Sequence, residues 1–191
     1  FIAGAAVQWL RDSLKIIKNA KETENLYSKN DPSQNVYLVP AFVGLGAPYW
    51  DGEARGALFG LTRNTGVPEL VKATLDSVVY QTKDLISAME KDSGIKIKKI
   101  KVDGGMVSNN QFVQFLSNLL MCVCLRPKIN ETTSLGAAYL AGYQSGIIKK
   151  FTDINQKWKS EKKFVNKMNR KDIEKLYLGW QKAIKGALKV K

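Results

Sequence analysis

The stretch that decides the fold is Val102-Asp103-Gly104-Gly105-Met106-Val107-Ser108-Asn109-Asn110. It ends a run in which Ile and Lys alternate over residues 95–102, a pattern that predicts a strand. Two adjacent glycines permit backbone conformations that are closed to other residues, and they let a ligand approach the main chain closely. Ser108 or Asn109 would cap a helix that we predict to run through residue 120. The stretch is therefore a strand-to-helix turn with room for a ligand.

Two interpretations of this turn are compatible with its residues. A helix that begins at Ser108 would present unpaired N–H groups and a partial positive charge, which suit a phosphate or a polar base. The amide of Asn109 carries donors and an acceptor, and such a group can fix a base or a ribose edge. A plain strand-to-helix turn also commonly contains Gly-Gly. The motif alone leaves nucleotide binding and an ordinary turn open.

Outward from the turn, helix and strand patterns alternate along the chain. The predicted helices cover residues 5–18, 68–93, 109–120, 135–144 and 170–190. The predicted strands cover residues 36–39, 57–61, 95–102 and 121–125. The long second helix should bury one stripe, formed by Val71, Leu75, Val78, Thr82, Leu85 and Met89. Residues 44–60 are expected to form an ordered loop, and the alternation as a whole predicts an α/β sandwich.

The composition excludes several classes of protein. With 45% apolar and 25% charged residues in 191, the chain is typical of one globular domain. No apolar run approaches the roughly 18–20 residues of a membrane helix, so we expect no membrane association. Two cysteines and no histidine argue against a zinc site or a His-based triad and suit a reducing compartment.

The net charge of +13 is concentrated near the end of the chain. Residues 1–148 carry 16 basic and 13 acidic side chains, whereas residues 149–191 carry 14 basic and 4 acidic ones. The basic residues there are almost all Lys and are scattered through a helical pattern. A nucleic-acid surface usually arranges Arg and aromatic residues along one groove or platform. The pattern favours a solvated Lys-rich face, and we expect no nucleic-acid partner.

Five stretches in register carry a family resemblance. They are Gly4-Ala5-Ala6-Val7-Gln8-Trp9-Leu10-Arg11-Asp12, Pro40-Ala41-Phe42-Val43-Gly44-Leu45-Gly46-Ala47-Pro48-Tyr49-Trp50-Asp51, Ala54-Arg55-Gly56-Ala57-Leu58-Phe59-Gly60-Leu61-Thr62, Val102-Asp103-Gly104-Gly105 and Leu135-Gly136-Ala137-Ala138-Tyr139-Leu140-Ala141-Gly142. In this order and spacing they resemble the C-terminal domain of the glycerol kinase family. The loop that ends in Pro48-Tyr49-Trp50 favours that family over xylulose, gluconate and fucose kinases.

The resemblance implies both a fold and a site. The fold is an α/β domain of the actin/hexokinase type, ribonuclease H-like, with a mixed sheet flanked by helices, here incomplete at its N-terminal end. ATP with Mg²⁺ would lie in a cleft between two such domains. The nucleotide contacts of the family fall on Gly4, Gln8, Gly105 and Asn109. Without the resemblance, Gly4 indicates a loop glycine and Gln8 a surface helix residue.

The implied reaction moves the γ-phosphoryl group of ATP to glycerol, which would be bound mainly by an earlier part of the molecule. We assign no catalytic residue and no metal ligand to this chain. Asp51 and Asp76 lack the context of the family's catalytic base, and Asp103 can orient the turn without touching a ligand. The cluster Pro48-Tyr49-Trp50 suits either loop packing or a sugar-stacking platform.

The organisation of the chain leads to further expectations. A chain that begins on Phe1, with no Met, is interpreted as a piece of a longer protein. Residues 1–148 should form the nucleotide-binding kinase domain, and residues 149–191 a Lys-rich extension whose last helix packs on it. We expect a cytoplasmic homo-oligomer when the protein is complete. The alternatives are a non-catalytic remnant of a split kinase gene and another sugar kinase of the same family.

Overall fold

The structure is a computed structural model that describes residues 2–129, 131–150, 152 and 158–190. The elements in chain order are α1 (Gly4–Gln8), α2 (Glu22–Ser28), β1 (Tyr37–Val39), β2 (Ala57–Phe59), α3 (Val67–Ser93), β3 (Lys99–Lys101), α4 (Asn110–Leu120), β4 (Val123–Pro127), α5 (Thr132–Gln144), β5 (Ser160–Phe164) and α6 (Arg170–Ala187). A π-helical turn, Trp9–Ser13, continues α1, and a 3₁₀ helix, Gly105–Ser108, precedes α4. No helix in these ranges combines the length and apolar character needed to span a membrane.

Two small sheets carry the strands. β1 and β2 pair antiparallel, with Tyr37 opposite Phe59. The second sheet has the order β3-β4-β5 and is mixed, because β3 and β4 are parallel while β4 and β5 are antiparallel. The pairing of β3 with β4 places the two carboxyl ends at the same edge of the sheet, and the Gly104-Gly105 turn leaves from that edge.

The core forms where α3 meets α4 and α6. The ring of Tyr80 on α3 stacks on Trp180 of α6 with centroids 5.2 Å apart, and it meets Phe115 of α4 edge-on at 5.7 Å. Trp180 and Leu119 are fully buried in the same cluster. The Tyr37 hydroxyl donates to the Leu176 carbonyl at 3.2 Å, so α6 also lies on β1. Aromatic packing of this kind fixes three helices around one centre.

The long helix begins and ends where the sequence predicts. Pro68 lies in its first turn, and Gly94 ends it with a left-handed φ of 70°. The predicted stripe is buried only in its first half, since Leu85 is 44% exposed and Met89 50% exposed. The prediction for these two residues is therefore wrong. In this part of α3 the buried side chain is instead Asp84, which is held by aromatic donors from other elements.

Other predicted boundaries also shift. The helix expected over residues 5–18 ends at Ser13, and Lys15 has a positive φ of 55°. The strand expected over residues 95–102 shortens to Lys99–Lys101, because β4 offers its first ladder partner, Val123, opposite Lys99. The sequence pattern also missed α2 and β5. β5 has the sequence Ser-Glu-Lys-Lys-Phe and buries only Phe164, so its pairing depends on backbone hydrogen bonds that leave no hydrophobic signal.

Candidate functional site

A cleft of about 760 Å³ lies beside α1 and the turn after β3. Its lining includes Gly4 and Gln8 from α1 and Gly105 and Asn109 from the turn. Small-molecule sites commonly have volumes of roughly 300–1,000 Å³. The cleft therefore has the size of a small-molecule site, and it brings together the four residues to which the family resemblance pointed.

The glycines of the cleft leave open space beside the backbone. Gly104 has a φ of 89°, which disfavours any residue with a side chain. A Cβ built on Gly4 or Gly105 would meet no protein atom within 4 Å, and neither residue has a positive φ in the left-handed range. Protein packing therefore does not explain glycine at Gly4 and Gly105, and the backbone at both residues is open to close approach by a ligand.

Asn109 is held at both ends of its side-chain amide. Its Oδ1 accepts from the backbone N–H of Phe112 at 3.0 Å, so of the two caps that the sequence allowed, Ser108 and Asn109, it is Asn109 that caps α4. Its Nδ2 donates to Oγ1 of Thr23 on α2 at 3.2 Å. The residue is 8% exposed. These bonds orient the amide, and they leave one N–H and part of the oxygen's capacity for a ligand.

The start of α4 differs from the expectation of open N–H groups. Glu24 of α2 accepts from the backbone N–H of Asn110 at 3.1 Å and from its side chain at 2.9 Å. The N–H of Phe112 is already taken by Asn109. The interpretation of this helix start as an open anion site is therefore wrong, because a carboxylate already occupies the place where an anion would bind. The backbone available to a ligand is the Gly104-Gly105 turn.

Helix α2 supplies residues that the sequence pattern did not single out. Thr23 and Glu24 both line the cleft. Thr23 is 3% exposed, and its hydroxyl donates to the carbonyl of Ala20 at 2.6 Å while it accepts from Asn109. The partners of Thr23 and Glu24 in the turn lie 86 residues away, so no local pattern could have indicated them.

Helix α1 contributes an exposed polar edge. Gln8 is exposed, and Arg11 follows it along the cleft with its guanidinium on Asp12 at 2.6 Å. Trp9, the first residue of the π-helical turn, has its ring centroid 5.1 Å from that of Phe42 in the loop between β1 and β2. This ring contact joins the π-helical turn to that loop, while Gln8 and Arg11 line the cleft.

The carboxylates of Asp51 and Asp76 bind other parts of the protein. Asp51 accepts from the backbone N–H groups of Glu53 and Ala54 at 2.9 and 3.0 Å. Asp76 is 2% exposed, accepts from Tyr27 at 2.8 Å, and pairs with Lys72; burial raises the pKa of its carboxyl above the ordinary value. Neither lines the cleft. Across the described ranges, no group of three or more His, Cys, Asp or Glu side chains is arranged to hold a metal ion.

Solved structures to which the chain is similar include a glycerol kinase and a xylulose kinase. A glycerol kinase from Plasmodium falciparum, solved with ADP, is 33% identical and superposes with a TM-score of 0.86 over 97% of this chain and 37% of its own. A ligand-bound xylulose kinase from Lactobacillus acidophilus is 24% identical, with a TM-score of 0.80 over 98% of this chain and 38% of its own, and shows the fold alone. The expectation of an actin/hexokinase-like α/β fold is confirmed.

The sequence comparisons define the family. A family model described as "FGGY family of carbohydrate kinases, C-terminal domain" matches residues 1–145. The chain belongs to the FGGY family of carbohydrate kinases. A curated glycerol kinase from Geobacillus sp. (strain WCH70) is 52% identical over all 191 residues, and one from Halalkalibacterium halodurans is 52% identical over 98% of the chain. The chain spans 38% of the length of each of these relatives.

Proposed function

We propose that this chain is the nucleotide-binding C-terminal part of an ATP-dependent glycerol kinase, which converts ATP and glycerol to ADP and glycerol 3-phosphate. The observation that carries the proposal is that Gly4, Gln8, Gly105 and Asn109 line one cleft with open space at its glycines. The 52% identity to curated glycerol kinases supports glycerol over other acceptors. The structural neighbour that was solved with ADP supports an adenine nucleotide.

The residues of the cleft fit a nucleotide in a defined way. The Gly104-Gly105 turn admits the ligand against the backbone, because no Cβ stands there. Asn109 is oriented by Thr23 and can contribute its remaining N–H, while Gln8 offers an exposed amide from α1. Bound ATP would supply the transferable phosphoryl group, and its accompanying Mg²⁺ would neutralise developing charge. Asp103, which precedes the Gly104-Gly105 turn, also lines this cleft.

The acceptor site and the catalytic base belong, in this proposal, to the rest of a longer protein. The chain spans 38% of the length of its curated relatives. The carboxylates of Asp51 and Asp76 accept hydrogen bonds from neighbouring parts of the protein. Closure of two domains around ATP and glycerol would position the reactants and exclude water. A cytoplasmic homo-oligomer, with residues 149–191 attached to the nucleotide-binding domain, completes the proposal.

The test is a phosphoryl-transfer assay on the complete protein that contains this chain, with ATP and either glycerol, xylulose or gluconate. Glycerol should be the preferred acceptor, and preference for a sugar acid or a ketose would overturn the substrate assignment. The isolated 191-residue chain should bind ADP without phosphorylating glycerol above background. A robust rate from the isolated chain would show that the catalytic residues lie within it.

A further inference from the structure

A buried arginine contacts the wall of the cleft without lining the cleft itself. Arg126 is the fourth residue of β4, and it is 6% exposed. Its Nη1 donates to the carbonyl of Val107 at 2.9 Å and to that of Ser108 at 3.3 Å. Both carbonyls belong to the 3₁₀ helix Gly105–Ser108, whose residues line the cleft. Arg126 therefore holds the backbone of the cleft wall.

The other half of the guanidinium is held by the C-terminal segment. Nε and Nη2 of Arg126 donate to the two carboxylate oxygens of Glu161 on β5 at 3.1 and 3.3 Å. The ring of Phe164, also on β5, lies 5.5 Å from the guanidinium carbon. A two-point contact of this kind fixes the plane of the guanidinium, which a lysine ammonium cannot reproduce. Glu161 therefore sets the direction in which Arg126 reaches the wall.

The wall is a single short 3₁₀ helix, so contacts from outside it can add to its stability. At its ends, the N–H of Val107 bonds to the carbonyl of Gly104 and that of Asn109 to the carbonyl of Met106, both at 3.2 Å, and the hydroxyl of Ser108 donates to the carbonyl of Gly105 at 2.8 Å. Short 3₁₀ helices have poor hydrogen-bond geometry and little stability of their own. Burying a charged side chain costs free energy unless hydrogen-bond and ion-pair partners are well placed around it. Here the partners are the two carbonyls of the wall and one carboxylate from β5.

We propose that Arg126 and Glu161 are positioning residues for the nucleotide. They fix the 3₁₀ helix so that the Gly104-Gly105 turn and Asn109 stay in place for binding, although neither residue lines the cleft. The proposal rests on the proposed function of the cleft. In this proposal the Lys-rich C-terminal segment contributes to ATP binding through β5, by way of the ion pair between Glu161 and Arg126.

The experiment compares Glu161→Gln and Arg126→Lys with the unaltered complete protein. Calorimetry gives the Kd of ADP, steady-state kinetics gives the KM of ATP and of glycerol, and thermal unfolding gives Tm. Each variant loses charge-assisted hydrogen bonds between Arg126 and its partners. The Kd of ADP should therefore rise by roughly fivefold or more, and the KM of ATP should rise in parallel. The KM of glycerol should stay within about twofold of the unaltered value.

Glu174→Gln is the matched control, because Glu174 carries the same charge on the same segment. It pairs with Arg170 at 2.7 Å on the exposed side of α6, and both partners are more than half exposed. This control should leave the Kd of ADP unchanged. If Arg126→Lys does not fold, Glu161→Gln decides, since its carbonyl oxygen still accepts one hydrogen bond from Arg126.

The outcomes separate this proposal from the proposed function. Equal ADP affinity in Glu161→Gln and Glu174→Gln would overturn the positioning role, as would a lowered Tm with unchanged affinity. If the unaltered protein binds ADP but does not phosphorylate glycerol, the proposed reaction fails while the affinity comparison still decides the role of Glu161. Absence of ADP binding in the unaltered protein would overturn both.

Discussion

The side-chain amide of Asn109 donates to the hydroxyl of Thr23 at 3.2 Å, across a separation of 86 residues. The Thr23 hydroxyl in turn donates to the carbonyl of Ala20 at 2.6 Å, so its oxygen is turned to accept from Asn109. The bond joins α2 to the start of α4 at the edge of the cleft. Helix α2 therefore sets the orientation of one of the proposed nucleotide contacts.

Thr23→Val should weaken nucleotide binding, and Thr23→Ser should not. Valine matches the shape of threonine but removes the acceptor, and it leaves Nδ2 of Asn109 buried without its partner. An unpaired buried group costs about 1–3 kcal/mol, part of which should appear as a roughly threefold to tenfold higher Kd for ADP. Calorimetry on the complete protein measures the change. Equal Kd values for the Val and Ser variants would contradict the assigned role of the hydroxyl.

Gly105→Val should raise the KM of ATP strongly and spare the KM of glycerol. A Cβ at Gly105 meets no protein atom within 4 Å, so the added side chain would extend into open space, where we propose that the nucleotide binds, and leave the protein core intact. We expect an increase of roughly tenfold or more for ATP, with a smaller one for Gly105→Ala. Steady-state kinetics with each substrate varied in turn measures both constants. An unchanged dependence on ATP would remove Gly105 from the site.

The sequence predicted the parts of the fold and of the site that have a local signature. Pro68 and Gly94 mark the ends of α3, and Asn109 marks the start of α4, because caps and breakers act over a few residues. The partners of Asn109 and Arg126 could not be predicted, since Thr23 lies 86 residues from Asn109 and Glu161 lies 35 residues from Arg126. The burial of Asp84 was missed for a related reason: its donors lie 35 to 96 residues away. Periodicity predicts which face of a helix is apolar, but it does not predict how much of that face other elements cover.

Asp84→Asn should destabilise the fold at neutral pH. The carboxylate accepts from the hydroxyls of Tyr49 and Tyr177 at 2.8 and 2.5 Å and from the indole N–H of Trp180 at 2.7 Å. An asparagine amide keeps a single acceptor oxygen for these three donors, so at least one of the buried hydrogen bonds is lost or must reverse its direction. We expect a loss of about 2 kcal/mol in the free energy of unfolding, measured by urea titration. Equal unfolding midpoints for the two proteins would contradict this network.

The same variant should reveal the pH dependence that Asp84 contributes. Burial raises the pKa of the Asp84 carboxyl, although the hydrogen bonds from Tyr177, Trp180 and Tyr49 act to lower it. A raised folded-state pKa means that Asp84 keeps its proton up to a higher pH in the folded protein than in the unfolded chain. The contribution of Asp84 to stability is then greatest below its ordinary pKa of about 3.9 and declines as pH rises through the folded-state pKa. The stability advantage over Asp84→Asn should therefore shrink from pH 4 upward, and an advantage that grows would reverse the sign of the shift.

Two helical glycines should respond in opposite directions to alanine. Gly179 lies in α6 with its Cα against Tyr37, and a Cβ built there would overlap the hydroxyl and ring of that tyrosine. Tyr37 cannot withdraw freely, because its hydroxyl bonds to the Leu176 carbonyl at 3.2 Å and its ring lies 5.8 Å from that of Tyr80. Gly136 in α5 has no protein atom within 4 Å of a built Cβ, so alanine there meets open space.

Gly179→Ala should therefore lower the free energy of unfolding by about 1–3 kcal/mol, even though alanine is the better helix former. Gly136→Ala should leave it unchanged or raise it by up to about 1 kcal/mol, because it reduces the entropy of the unfolded chain without a clash. Urea titration of both variants against the unaltered protein measures the difference. A Gly179→Ala protein as stable as Gly136→Ala would mean that α6 does not lie as close to β1 as the Tyr37 contact indicates.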